Sequence, residues 1–213
     1  MPTINDQKGL DAFRSEWRAP AIQDLLERYS LLFVNWPVGV GKSHLMDDLI
    51  EQAVFEGSHD VVFVMVPTRK VLEERRWIIN PPPGIKVINL KPRPAHLCGQ
   101  SLDARLSGFE QRGMTLYGKT MICNQICQNR SICFWHDQYG KKAMEDARVI
   151  YGTQAHLERD PMFCIRLLGW TGAKKPLVLL DEASFIAKSR KAVVQKDDLI
   201  RYQRVLDGVD GQF

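Results

Sequence analysis

Three groups of residues have side chains whose type and spacing suit chemistry. The first is Gly39-Val40-Gly41-Lys42-Ser43, a turn of small residues ending in a lysine and a hydroxyl. Such a turn lets main-chain N–H groups close around a phosphate, and a helix starting there adds its positive dipole end. Lys42 would then reach the terminal phosphates of ATP, and Ser43 would ligate Mg²⁺. The complete phosphate-loop pattern has a glycine five positions before Gly41, where this chain has Trp36. The second group is Asp181-Glu182, directly after Leu177-Val178-Leu179-Leu180. A carboxylate at the tip of a neighbouring strand supplies another Mg²⁺ contact, and the next one can orient the attacking water. Asp also caps helices well, but capping does not account for two motifs occurring together in this order. The pair predicts ATP–Mg²⁺ binding, with Lys42, Asp181 and Glu182 as the catalytic residues.

The third group is Cys98, Cys123, Cys127 and Cys133, the last three spaced C-x3-C-x5-C. Four thiolates suit a [4Fe–4S] cluster or a tetrahedral Zn²⁺. There is no C-x2-C pair of the kind zinc ribbons usually show, which favours iron–sulphur. In a zinc site His96 or His136 could replace one thiolate, and free buried thiols are the third alternative. Cys164, within Met162-Phe163-Cys164-Ile165, reads as core. Phe134, Trp135 and Tyr139 follow the cysteines among basic residues. Rings among cations suit single-stranded nucleic acid, and they equally suit a small core around the metal site.

The elements that must position these groups alternate. Pro20 opens a helix through Ile22, Leu25 and Leu26, and residues 31–34 read as a short buried strand leading into the phosphate turn. A helix follows with Leu45, Leu49, Ile50 and Val54 on one face. Residues 60–66 form a second strand, then comes a helix carrying Val71, Leu72 and Trp77, then a third strand over 85–90. From 91 to 137 the periodicity fails, and the cysteines must organise the stretch. A helix over 138–146 and strands over 148–151 and 176–180 come next, and the last thirty residues read as helical and charged. This alternation predicts an α/β fold with a mostly parallel sheet. It divides the chain into an ATPase part over 1–90, a cysteine-rich metal-binding insertion over 91–137, and a second ATPase part over 138–213.

With 213 residues the chain suits one domain with an insertion. No apolar run is long enough to span a bilayer and no secretory h-region opens the chain, so no membrane partner and a cytoplasmic location are expected. The net charge is only +4, yet residues 84–142 hold nine Lys or Arg against three acids. The positive excess therefore sits in the cysteine region, as a polyanionic partner or a solvated basic face would require.

Pro37-Val38-Gly39-Val40-Gly41-Lys42-Ser43 resembles motif I of superfamily-two helicases. Asp181-Glu182-Ala183-Ser184 resembles their motif II, the DEAD/DEAH box, with serine in the last place, and Val66-Pro67-Thr68-Arg69 resembles motif Ia. Four cysteines between motifs Ia and II, and the segment Ala147 to Leu157 after them, are similar to the iron–sulphur, XPD/DinG-like branch. That resemblance implies a RecA-like P-loop NTPase domain that couples ATP hydrolysis to translocation on DNA. It implies a [4Fe–4S] cluster, an adenine-reading role for Gln23, and contacts from Thr68, Arg69 and Thr153 to single-stranded or forked DNA. Because the chain ends about thirty residues after motif II, a second RecA-like domain is expected in cis or from a partner protein. Two other readings stand beside the motor. One is a nucleotide-dependent binding or switch module with a structural zinc site. The other is a nuclease or primase accessory protein keeping only the ATPase core.

Overall fold

The run Val-Val-Phe-Val-Met-Val forms β1 (Val61–Val66), and all six of its residues are buried. β-branched and aromatic side chains favour the pleated backbone, and a strand apolar on both faces must lie inside a sheet covered on both sides. The computed structural model describes residues 11, 12, 15, 19–29, 32, 34, 40–112, 114–160 and 162–182. Around β1 it places β2 (Val87–Asn89), β3 (Val149–Thr153) and β4 (Pro176–Leu180) in the order β2-β3-β1-β4. Every pairing is parallel, with Val66 opposite Thr153 and Met65 opposite Leu180. Among the described residues the fold is thus α/β with a four-stranded, all-parallel sheet.

Helices cover both faces. On one, α2 (Lys42–Phe55) lays Ile50, Ala53 and Val54 against Val62, Val64, Val149 and Tyr151. The same face takes Leu72 of α3 (Arg69–Glu73) and Trp77 of α4 (Arg76–Ile79). On the other face, Phe63, Met65 and Ile150 pack on Met144 of α8 (Lys141–Met144) and on Phe163 and Leu167 of α10 (Phe163–Thr171). A third apolar cluster joins Ile22 of α1 (Ala19–Arg28) to Leu45 and Leu49, with half-buried Leu32 and Leu179 against it. The connection from β1 to β2 therefore crosses one face and that from β3 to β4 the other, in opposite directions along the sheet. Between the carboxyl ends of β1 and β3 this leaves the crevice where open α/β sheets place ligands.

Three expectations change. The stretch 91–137 is largely helical: α5 (Ala95–Gln111), α6 (Thr115–Gly118), a π-turn over Lys119–Cys123, a 3₁₀ turn over Arg130–Ile132 and α7 (Phe134–Asp137). α5 was hidden because it breaks at Gly99, whose φ of 70° and ψ of 158° only glycine adopts at low cost. The helix expected through Val71 and Trp77 is two short ones separated at Glu74-Arg75, and that expected over 138–146 shrinks to the four residues of α8. Of the strand expected over 31–34, residues 31 and 33 lie outside the described residues, as does the C-terminal segment from 183.

Candidate nucleotide and nucleic-acid site

Gly41 precedes α2 with φ 97° and ψ 27°, a left-handed conformation that costs an L-residue about 1–2 kcal/mol and glycine almost nothing. Its carbonyl accepts from Leu45 N at 3.0 Å, starting the helix. Val40 is buried, Lys42 half-buried and Ser43 exposed at the first turn. Gly39, the side chain of Gln23, and Ala183-Ser184 lie outside the described residues.

Asp181 directly follows β4. Its N–H donates to Met65 O at 2.9 Å, extending the β4–β1 ladder by one step and fixing the carboxylate at the carboxyl edge of the sheet. Glu182 follows with φ 52°, an uncommon conformation for a residue with a side chain. Gln154, buried at the start of α9 (Gln154–Arg159), donates its amide to the main-chain carbonyls of Asp181 and Glu182. The turn after β4 is thereby tied to the turn after β3.

One partner of Asp181 is not legible in the motifs. Arg75, 4% exposed, forms an ion pair with Asp181 Oδ2, and the same nitrogen approaches Met46 Sδ of α2 at 4.0 Å. One guanidinium thus touches both the helix of the phosphate turn and the second motif. Asp47, next along α2, has its carboxyl pushed up by burial, against the pull of Arg75 and His44.

The three residues expected on DNA sit at the carboxyl ends of β1 and β3. Thr68 caps α3, its hydroxyl accepting from Val71 N at 3.3 Å. Thr153 caps α9 in a reciprocal arrangement with His156, whose Nδ1 accepts from Thr153 N at 3.1 Å. Arg69 donates to Asn89 Oδ1 at 2.8 Å, and burial pulls its pKa down. Arg69 and Thr153 line a cleft of about 460 Å³ between the sheet edge and the cysteine region, and Thr68 is not among its lining residues. Lys91, Arg93 and Arg159 add positive charge to this cleft; Trp135, Tyr139 and Phe163 form its apolar wall. Arg93 is already held by Asp103 and Glu110, both at 3.3 Å, and Arg159 by Glu110 at 3.5 Å.

Comparison with protein-family models, with curated proteins and with solved structures gives no match. The site therefore rests on its own residues.

Cys98, Cys123 and Cys133 are buried in one cluster with Leu106, Ile122 and Trp135, and Cys127 is half-buried beside them. All five cysteines are free thiols. Burial raises the pKa of Cys98, and burial reinforced by the other three thiols pushes Cys123 up to about 11. The four thiols are thus close enough for each charge to oppose the next, a repulsion that a bound cation reverses. The donor set fits a thiolate-bound metal in kind, but among the described residues no three His, Cys, Asp or Glu are arranged to hold one. His136 is no substitute ligand here: Asp137 and Asn124 occupy its ring nitrogens at 2.8 and 2.7 Å. His96 is exposed.

Trp135 and Tyr139 are core rather than stacking platforms, with ring centroids 5.6 Å apart and Tyr139 also 6.0 Å from Trp170. Phe134 is exposed, with the Lys91 ammonium 5.7 Å from its ring centre. Cys164 is only half-buried on α10, its thiol pushed up by burial.

Proposed function

We propose that this chain is the ATP-hydrolysing motor domain of a DNA helicase of the superfamily-two, XPD/DinG-like kind, acting in the cytoplasm. The observation that carries the reading is the contact of Arg75 with both Asp181 and Met46. It brings the second acidic motif to the helix that begins at Gly41-Lys42-Ser43, as a shared nucleotide site requires. Lys42 and the N–H groups at the start of α2 hold the triphosphate, Ser43 and Asp181 hold Mg²⁺, and Glu182 orients water. Mg²⁺, when bound, neutralises charge on the transferred phosphoryl group. Gln23 and Gly39 complete the nucleotide contacts in this reading. Thr68, Arg69 and Thr153 hold the DNA backbone along the crevice between β1 and β3. The four cysteines hold a [4Fe–4S] cluster. A second RecA-like domain, in cis or from a partner, contributes the far side of the nucleotide cleft.

Equilibrium titration with a fluorescent ATP analogue and Mg²⁺ tests the nucleotide half. Lys42→Ala should weaken binding about 10- to 100-fold, the worth of a charge-assisted contact. Unchanged affinity would remove Lys42 from the site. ATP turnover with and without single-stranded DNA tests the motor half, and turnover indifferent to DNA would leave only a nucleotide-binding module.

A second reading, a nucleotide-dependent switch with structural zinc, is favoured by one observation. Three of the thiols lie inside a packed apolar cluster with Leu106, Ile122 and Trp135, the setting of a staple. Metal identity separates the two readings.

A further inference from the structure

Arg75 is buried in the break between α3 and α4, with extended backbone at φ −69° and ψ 134°. Withdrawing a guanidinium from water costs several kcal/mol unless it is fully paired, and among the described residues Arg75 has one ion-pair partner. It meets Asp181 through Nη2, while its Nε is buried without a partner. Two more buried atoms have no partner among the described residues, Asp47 Oδ1 and Tyr151 Oη. The Arg75 charge opposes the burial that raises the Asp47 carboxyl, and the charges of both Asp47 and Arg75 bear on Tyr151. One guanidinium thus pairs with Asp181 at the end of β4 and lies 4.0 Å from the sulfur of Met46, the neighbour of Asp47 on α2. A buried polar network left partly unsatisfied is costly.

We propose that Arg75 is a positioning residue that occupies the Asp181 carboxylate while no divalent cation is bound and moves to Asp47 when the cation takes Asp181. This rests on the reading of Asp181 as a Mg²⁺ ligand. The cation and the guanidinium compete for the same carboxylate, and in a poorly solvated site their mutual repulsion disfavours holding both. Asp47 Oδ1, buried and without a hydrogen-bond partner among the described residues, is the oxygen that can receive Arg75. Asp47 thus determines how readily the metal site opens, without touching nucleotide or metal.

The test is Mn²⁺ affinity of the full chain at saturating ADP, read by the electron-spin resonance of free Mn²⁺. Arg75→Gln should tighten Mn²⁺ binding and Asp47→Asn should weaken it, each by about 5- to 50-fold, the usual size of coupling between two sites. In the double variant, Asp47→Asn should have no effect beyond that of Arg75→Gln, because the exchange it served is gone. A purely structural Arg75 would lower the melting temperature and leave Mn²⁺ affinity unchanged, which overturns the inference while the nucleotide site stands. Absence of Mn²⁺–ADP binding in the unaltered protein overturns both. Should Arg75→Gln fail to fold, Asp47→Asn and Arg75→Lys decide alone, and unaltered Mn²⁺ affinity in both overturns the proposal.

Discussion

The side-chain amide of Gln154 donates to the main-chain carbonyl of Glu182 at 3.0 Å, from inside the protein. It also serves the carbonyl of Asp181, so one buried amide fixes the backbone from which both acidic side chains project. Replacing it by leucine leaves two carbonyls without their donor, at about 1–3 kcal/mol each where water cannot enter. We expect Gln154→Leu to lower the melting temperature and to weaken Mg²⁺–nucleotide binding more than metal-free nucleotide binding. Equal losses with and without Mg²⁺ would show that Gln154 serves stability alone.

Arg69 and Arg93 line the same cleft but differ in what already holds them. Arg93 is pinned by Asp103 and Glu110, whereas Arg69 has a neutral partner, Asn89, and a distant Glu73 at 3.9 Å. Arg69→Ala should weaken single-stranded DNA binding and lower the salt-dependence slope by about one counterion. Arg93→Ala should chiefly destabilise, since it strands two carboxylates at a half-buried site. A salt slope unchanged in Arg69→Ala would remove this crevice from the DNA path.

His156 gives the fold a pH dependence. Burial lowers its pKa from the ordinary 6.5, and Nδ1 accepts from Thr153 N in the neutral ring. With the folded pKa below the unfolded one, the unfolded chain binds more protons in this range. The stability is fully present above about pH 6.5 and is lost as pH falls through the lower folded value. The melting temperature should therefore drop between pH 7 and pH 5, less steeply in His156→Gln. His59, also lowered by burial, accounts for part of the remaining slope. An identical pH profile in His156→Gln would overturn the assignment.

Much of this was legible in advance because apolar runs of five or six residues leave little choice. β1 and β4 lie where the runs at 60–66 and 176–180 place them, and α2 buries the face carrying Leu45, Leu49 and Ile50. α5 was not legible, since the kink at Gly99 interrupts its period and its polar face is long. α10 is short, and Gly169 and Cys164 obscure its apolar stripe. Arg75 was invisible for a different reason. Beside Arg76 it reads as one of two surface cations, and only the break between α3 and α4 turns it inward to Asp181. Gln154 likewise looked like an ordinary polar residue, because its role depends on the turns after β3 and β4, far apart in sequence, lying side by side across β1.

The cysteine cluster offers the sharpest division. Cys98 enters on the first turn of α5, just before the kink at Gly99, and Cys123 at the end of the π-turn; both are held by Leu106, Ile122 and Trp135. Metal binding to such thiols releases protons and adds its free energy to folding. Protein purified without oxygen should be brown, absorb broadly near roughly 400 nm and hold about four irons per chain. Chelation or Cys123→Ser should melt the region around α5 to α7 first, visible as loss of amide protection there, while the parallel sheet keeps its protection. One zinc in a colourless protein would make the region a staple and place the switch reading first. Metal-free protein with unaltered protection in Cys123→Ser would mean that Leu106, Ile122 and Trp135 hold the cluster together by burial alone.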